Sequence, residues 1–492
     1  MIKLLGRYGL VLGCFINSLV IHSAVVDPTL KPFLKQSQDH SLQDILVTFD
    51  QSHPVTNNQL RYLSDEGMTG NRLTDLPMVL VKATAAQIKK LIMREDVASI
   101  WCNEWLEFES IQHYESSKGS VKELSLLQRL QVSLLDSEEQ LKKHHENALS
   151  APKKVSVLLN DSGIDITHQD LSYPKVVRQN LIIQPQLSSY SNIAPLTMQS
   201  SFKNTDIGAG HGTLVAGVLS GNGSLSAGKH KGIVPETPII SIGSGSKKSL
   251  FDALAGMDYA LQQRQRLNIR VVLNAFGSRQ DMGTPLNISH PMTIATKRLS
   301  DRGIITVFSA GNEGNKAGSL TGSYKKAPWV ITVAAATSNK QIAAFSSYGT
   351  PVKSQEIIMD DRRYFWQDQP TIAAPGQDQI SLRASLSSLS ALSLRGDSQQ
   401  LSPELIAHYT QASGTSLSAA YVSGVIATML DKNPELSGEQ IKTILQSTAE
   451  PIEQAETWQA GAGLINKKAA IEAASSKRAV STDTDSLEFS SR

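Results

Sequence analysis

Short apolar runs, amphipathic segments and turn residues alternate along most of the chain, and their period changes twice. Ile45-Leu46-Val47-Thr48-Phe49 and Pro77-Met78-Val79-Leu80-Val81 read as strands. Thr84-Ala85-Ala86-Gln87 has the spacing of a capping box, and Ile88, Leu91 and Ile92 fall on one face of the helix it starts. Val97-Ala98-Ser99-Ile100-Trp101 returns as a strand, so residues 41–108 are expected to form a small α+β unit. From about 109 to 150 the chain turns polar, with Leu127, Leu130 and Leu134 at helical spacing and a second helix start at Ser137-Glu138-Glu139-Gln140. His144 and His145 are adjacent and would point in different directions on a helix. They read as a solvated face and not as a metal site.

From about residue 151 buried strands alternate with helices. Strands are expected up to Asp161, near Ile239-Ile240-Ser241, at Val271–Leu273 and at Ile304–Phe308; helices are expected from His211 and around Phe251–Gln262. This pattern predicts an α/β domain with a mainly parallel sheet and helices on both faces. Gly221-Asn222-Gly223-Ser224 lacks the Gly-Lys-Ser/Thr ending of a phosphate loop and reads as a surface turn. Two stretches, 352–370 with Asp360, Asp361, Arg362, Arg363, Tyr364 and Trp366, and the Ser- and Leu-rich 381–409, read as surface insertions near the cleft. The end of the chain, from about Ser475, is polar and reads as a disordered tail.

Composition narrows the functional classes. At 492 residues the chain can hold two or three domains, and its net charge of +2 comes from well-mixed acids and bases. That balance gives no electrostatic case for a nucleic-acid partner. Residues 1–24 carry Lys3 and Arg7, an apolar run from Tyr8 to Ile21 too short for a membrane span, and small residues at Ser23-Ala24. They read as a secretory signal peptide, which leaves an exported, secreted or periplasmic product with no membrane span once it is removed. Val11-Leu12-Gly13-Cys14 has a lipoprotein-like look, but the apolar residues after Cys14 argue against it. With only Cys14 and Cys102, no disulfide framework or cysteine metal site is available, and Cys102 reads as a packed small residue.

Four segments carry candidate chemistry. Ser416, in Gly414-Thr415-Ser416-Leu417-Ser418-Ala419-Ala420, sits where a helix should begin, so its hydroxyl meets unpaired N–H groups and the positive end of the helix dipole. Asp161 ends a buried strand before a glycine turn, and His211 stands between Gly210 and Gly212 at the head of another helix. In the order Asp, His, Ser these can supply an orienter, a general base and a nucleophile. Asn312, on the turn Ser309-Ala310-Gly311-Asn312-Glu313-Gly314, offers an amide donor for an oxyanion.

These blocks resemble those of the subtilisin-like serine proteases, in the same order. Asp161, His211, Asn312 and Ser416 fall on the family's Asp, His, Asn and Ser positions. The similarity continues at Ile331–Ala336, Phe345–Gly349, Ala373–Gly376, Asn433–Ser437 and Gly461–Asn466, from about residue 150 to 475. Leu214, Leu417, Ser418, Ala420 and Ala275 depart from the family's usual residues, but none removes a group that handles protons.

The resemblance implies a serine endopeptidase made as a zymogen, acting on protein or peptide substrates. The expected organisation is a signal peptide over 1–24, a propeptide serving as chaperone and inhibitor over 25–110, a helical linker over 111–150, a catalytic domain over 151–475 and the tail over 476–492. Its own propeptide would be a partner. No cofactor is required for catalysis, and Asp170 falls where some relatives bind a structural calcium, although one carboxylate supplies little of that ion's coordination. The primary pocket would be walled by Phe276-Gly277-Ser278 and Ser309-Ala310-Gly311 and left deep by Gly322. With no acid there and with exposed Lys325 and Lys326 nearby, cleavage is expected after large apolar residues. Two other classes compete: a catalytically inactive homologue kept for binding, and an α/β hydrolase acting on esters. The latter lacks a Gly-x-Ser-x-Gly elbow and has a different triad order.

Overall fold

The computed structural model describes residues 23–35, 40–50, 53–108, 153–184, 193–201, 203–351, 354–385 and 396–476. The expected signal peptide, apart from its end, the linker and the tail lie outside these residues.

In residues 23–108 the strands are β1 (Val25–Val26), β2 (Gln43–Phe49), β3 (Thr69–Arg72), β4 (Met78–Ala83), β5 (Val97–Cys102) and β6 (Trp105–Phe108). Helix α1 (Asn57–Asp65) follows a capping box at Thr56, and α2 (Ala85–Ile92) follows the expected one at Thr84. The sheet runs β1-β5-β2-β4-β3 and ends, unexpectedly, on β9 (Ile193–Pro195), which pairs with β3 in parallel. Strand alternation explains why β2 reads as one apolar run. Ile45, Val47 and Phe49 pack with Leu63, Ile88 and Leu91 of the two helices. Leu46 faces the other way and joins Met78 and Trp101 against the larger domain. With both faces covered, neither can be polar.

The larger sheet contains β7 (Ser156–Asp161), β8 (Val177–Gln184), β10 (Thr197–Ser200), β11 (Ile239–Gly243), β13 (Ile269–Asn274), β15 (Ile305–Ser309), β16 (Val330–Ala336) and β19 (Ile372–Pro375). Its order is β10-β8-β11-β7-β13-β15-β16-β19, parallel throughout except for the edge pair β10–β8. Val157, Leu159, Val271, Leu273, Val307 and Val333 face α3 (His211–Ser220) and α6 (Thr415–Lys432). Leu158, Ile240, Ile242, Val272 and Phe308 face α4 (Leu250–Gln263) and α5 (Pro291–Asp301). The expected parallel sheet with helices on both faces is what the chain forms.

The two insertions differ from each other, the first lying at the surface as expected and the second not. Residues 355–366 make a hairpin, β17 (Gln355–Met359) with β18 (Arg362–Trp366), whose Met359 and Trp366 are buried while Ile358 and Phe365 face solvent. Within 381–409 the surface expectation fails. Arg383 and Asp397 form a buried ion pair, and Leu401, Ile406 and Tyr409 belong to the main core. Among its described residues, Leu382 and Leu401 are core material, not surface decoration.

The small unit docks on α4 and α5 through Leu46, Met78, Trp101 and Leu106, which share one buried cluster with Leu254, Met257 and Met292. Each such side chain contributes roughly 1.5–3 kcal/mol when fully buried. A polar clamp sets the register: the Asp258 carboxylate of α4 accepts the backbone N–H groups of Thr74, Asp75 and Leu76, each at 2.8 Å. Asp258→Ala leaves those three donors without their acceptor, at about 1–3 kcal/mol for each that stays buried. Amide hydrogen exchange in residues 69–83 of the full chain is expected to accelerate while β7 and β13 keep their protection. Equal exchange in both proteins would show that the clamp does not hold the unit.

Candidate active site

The site forms where β7, α3, β15 and α6 converge. Asp161 is the last residue of β7, fully buried, and its Oδ1 accepts the Ser162 N–H at 2.7 Å. A Cβ on Gly212 would lie 2.0 Å from the Gly163 carbonyl oxygen, so the first turn of α3 rests directly on the turn after β7. Only glycine permits that approach. It brings His211 over Asp161, with Nδ1 2.7 Å from Asp161 Oδ1. On the other side, Nε2 lies 3.0 Å from Ser416 Oγ, in the first turn of the 18-residue α6. With the carboxylate accepting at Nδ1, that nitrogen carries the proton and Nε2 is left to accept from the serine hydroxyl. The three predicted residues therefore stand in one hydrogen-bonded line.

Asn312 follows the end of β15. Its Oδ1 accepts from both the backbone N–H and the hydroxyl of Thr415, each at 2.9 Å. The amide is thereby held with its NH₂ turned away from Thr415. The same hydroxyl accepts the Gly311 N–H at 3.2 Å, so Thr415 ties the β15 turn to the residue just before Ser416.

Sequence reasoning missed three supporting groups. Asp206, buried five residues before His211, accepts from Gly210 N, from Thr213 N and Oγ1, and from Ser162 Oγ. Burial pushes its carboxyl up to about 6, against the Ser162 and Thr213 hydrogen bonds, which favour the charged form. Ser162 Oγ in turn accepts the Gly212 N–H at 2.9 Å, completing a brace under the histidine. Lys248 is fully buried and donates to Asn160 Oδ1 at 3.0 Å; burial lowers its ammonium to about 8 against the pull of Asp252 and Asp161. A carboxylate five residues upstream on a glycine-rich turn was the readable signal for Asp206. The lysine offered none.

Strand β6 occupies the cleft. It lies antiparallel between β12 (Lys248–Ser249) and β14 (Phe276–Gly277), with Leu106 opposite Lys248, Glu107 opposite Gly277 and Phe108 opposite Phe276. Leu106 is buried, and the Phe108 ring stacks on the His211 imidazole with centroids 5.3 Å apart. Of the predicted pocket residues, Phe276 and Gly277 thus pair with β6, and Ser278 Oγ donates to Glu104 at 2.7 Å. Ser309 and Ala310 are buried at the end of β15, and Gly311 has φ +120 with the Thr321 side chain 2.8 Å from where a Cβ would be.

Three expectations need correction. The space beside Gly322 is filled by the Tyr324 ring, 2.7 Å from a Cβ built there, so this glycine accommodates Tyr324 and does not leave an open slot. Lys325 and Lys326 are buried, not exposed; Lys325 Nζ donates to Thr321 Oγ1 at 2.7 Å, and Lys326 Nζ donates to the Thr284 carbonyl and pairs with Asp368. Asp170 does not fit a calcium site. Its oxygens accept from Ser224 Oγ, Leu225 N and Tyr409 Oη, and donors of that kind stand where a cation would need oxygens. Among the described residues no group of three or more His, Cys, Asp or Glu side chains could hold a metal.

A doubly covered parallel sheet with an aspartate, a histidine and a serine aligned at its strand and helix ends defines an α/β protein of hydrolase type. Residues 152–479 match the model of the subtilase family. The chain belongs to the subtilase family of serine proteases. Serine protease AprX of Bacillus subtilis (strain 168) is 27% identical over 282 residues, covering 53% of this chain and 58% of the relative. This chain therefore spans little more than half of that protein. Subtilisin DY of Bacillus licheniformis is 28% identical over 323 residues, 65% of this chain and 91% of the relative. Fervidolysin from Fervidobacterium pennivorans, a keratinolytic enzyme related to subtilisin, shares the fold with a TM-score of 0.57 at 17% identity, over 92% of this chain and 63% of that one. The epidermin leader peptide processing serine protease of Staphylococcus aureus does so with a TM-score of 0.54 at 16% identity, over 89% and 100%.

Glu104, at the base of β6, makes occupation of the cleft pH-dependent. Burial pushes its carboxyl up from 4.5 to about 7, with Asp281 and Asp27 adding to the rise and the Ser278 hydroxyl opposing it. The docked state thus keeps a proton that the solvated carboxyl has lost. Docking gains fully below about 4.5, and the gain disappears as pH rises through about 7. Intrinsic-rate-corrected amide protection of residues 105–108 is expected to fall across that interval in the wild type and to stay flat in Glu104→Gln. The same slope in both proteins would exclude Glu104 as its source.

Proposed function

We propose that the chain is an exported serine endopeptidase made as a precursor. The observation that carries this reading is the line Asp161–His211–Ser416, with the Asn312 amide locked beside it by Thr415. His211 Nε2 takes the proton of Ser416 Oγ as the oxygen attacks a peptide carbonyl carbon. Asp161 holds the imidazole and stabilises its cation. The Asn312 NH₂ and the Ser416 backbone N–H receive the oxyanion, and both act more strongly in a dry site than in water. His211 then gives its proton to the departing amine, and water releases the acyl group by the same steps in reverse order. No cofactor enters these steps.

Residues 25–110 act on this reading as propeptide. The position of β6, along the cleft with Phe108 against His211, supports inhibition by occupancy. Its docking on α4 and α5 supports a chaperone role, because a parallel sheet is built from non-local contacts and folds slowly without a template. Residues 1–24 direct export, 111–150 link the propeptide to the catalytic domain of 151–475, and 476–492 form the tail. No helix among the described residues is long and apolar enough to cross a membrane.

A fluorophosphonate probe is expected to label the matured protein at Ser416 and to block casein hydrolysis. Ser416→Ala should take no label and leave the precursor uncut. Hydrolysis that survives in purified Ser416→Ala, or a wild type that neither labels nor cleaves, would overturn the proposal. Thr415→Val removes one of the two donors to Asn312 Oδ1 while keeping the side chain's shape. It is expected to lower kcat roughly tenfold with little change in KM, since the amide loses orientation in the transition state and not substrate contact. A rise in KM alone would place Asn312 in ground-state binding.

A further inference from the structure

Strand β6 shows how an extended peptide is held in the cleft. Leu106 and Phe108 point inward, the first buried and the second stacked on His211. Trp105 and Glu107 point to the open side, as alternation along a strand requires. The backbone pairs with β12 on one bank and β14 on the other, and any sequence can make those contacts. Outward side chains of such a strand ordinarily carry no selectivity, because water serves them equally well. Glu107 differs in having a partner on the catalytic domain: its carboxylate lies 3.0 Å from Arg279 Nη1.

Arg279 owes its position to the catalytic domain and not to β6. It stands two residues beyond Gly277, the residue paired with Glu107, which has no side chain of its own to place there. Ser278 Oγ accepts the Gln280 N–H at 3.3 Å, which shapes the turn that carries Arg279. The guanidinium's Nη2 lies 2.6 Å from Glu313, whose backbone N–H is held by Ser347 Oγ at 3.1 Å. Asp281, the next acid along, is turned to the Ser323 N–H at 2.7 Å. On the opposite bank Lys247 sets its Nζ 5.8 Å from the Trp105 ring, so the outward face of a bound strand meets a cation from each side. A carboxylate at the Glu107 position gains a charge-assisted hydrogen bond from a guanidinium already oriented by Glu313. An amide there gains less, and an ammonium is repelled. The pair is solvent-exposed, which keeps the discrimination to about fivefold or less.

We propose that Arg279 is a specificity-determining residue that selects substrates with an acidic side chain at the position of Glu107, directly before the residue that lies on His211. This rests on the endopeptidase reading above and names a feature of the peptides that site takes. The contact is made with bound substrate and has no part in breaking the bond, so its effect falls on KM and not on kcat.

The test uses matured enzyme from the full-length chain and three internally quenched peptides built on Trp-Leu-Xaa-Phe-Glu-Ser-Ile, the chain's own residues 105–111 with Glu, Gln or Lys at Xaa. For the wild type, kcat/KM for the Glu peptide is expected to exceed that for Gln by about threefold to fivefold, through KM, with Lys the poorest. In 1 M NaCl, where the screening length is about 3 Å, the ratio should approach one. Arg279→Gln should bring the Glu-to-Gln ratio to one, Arg279→Lys should keep it above one, and Arg279→Glu should make Lys the best of the three. A merely structural role for Arg279 would lower all three peptides alike. That outcome, a ratio that Arg279→Gln leaves unchanged, or a wild type that labels with the fluorophosphonate but prefers Gln or Lys or cleaves none of the three, overturns the specificity assignment alone. A wild type that neither labels nor cleaves overturns the endopeptidase reading and this inference with it. If the substituted enzymes do not mature, the wild-type ratio and its salt dependence decide the matter.

Discussion

Two backbones touch beneath the histidine, and most of the site depends on how closely they do so. A Cβ on Gly212 would lie 2.0 Å from the Gly163 oxygen and 3.2 Å from Asp161 Oδ1. Any side chain there would lift the first turn of α3 from the end of β7 and lengthen the 2.7 Å contact between His211 and Asp161. Gly163 is constrained in turn, since its own Cβ would meet the Thr205 backbone at 2.6 Å. Asp206 and Ser162 then hold the compressed turn by accepting the N–H groups of Gly210, Gly212 and Thr213. Close packing positions the imidazole, and a buried, well-satisfied polar brace keeps it there.

The serine and the amide are coupled by a different device. Thr415 precedes Ser416 on α6 and gives both its N–H and its hydroxyl to Asn312, which follows β15. α6 itself packs across β13, β15 and β16. Movement of the helix relative to the sheet would therefore disturb the hydroxyl and the amide together. Placing the hydroxyl at the start of an 18-residue helix adds the favourable end of the dipole at the position where negative charge develops.

The small unit is bound to this framework through a face of its sheet, not merely by its last strand. Leu46, Met78 and Trp101 share a buried cluster with α4 and α5, while Ile45, Val47 and Phe49 form the unit's own core. β9 comes from the larger half of the chain yet completes the smaller sheet. The Asp258 clamp and the Glu104–Ser278 contact are polar anchors at either end of that interface. β6 is thus delivered to the cleft by an extended docking surface, with one polar contact sensitive to protonation.

The one-dimensional pattern determined every element whose identity follows from local chemistry. Thr84 and Gln87 mark a helix start because a capping box is satisfied within four residues, and the equivalent pair Thr56 and Gln59 follows the same rule. Strands buried on both faces announced themselves as apolar runs, from Val157–Leu159 to Ile331–Val333. Asp161, His211, Asn312 and Ser416 stood out because glycines and small residues around them mark close approach. What the pattern could not decide was distance between segments far apart in the chain. Only the folded chain buries Leu401, Ile406 and Tyr409 in the core, since an apolar residue does not reveal which surface will cover it. Only tertiary packing lays Phe108 on His211 and seats β9 beside β3. Most plainly, Lys325 and Lys326 read as surface charges because lysine usually is one. Their burial depends on Thr321, Thr332, Thr284 and Asp368, partners brought together by three-dimensional packing, and a charge in a sequence carries no record of the solvent it will lose.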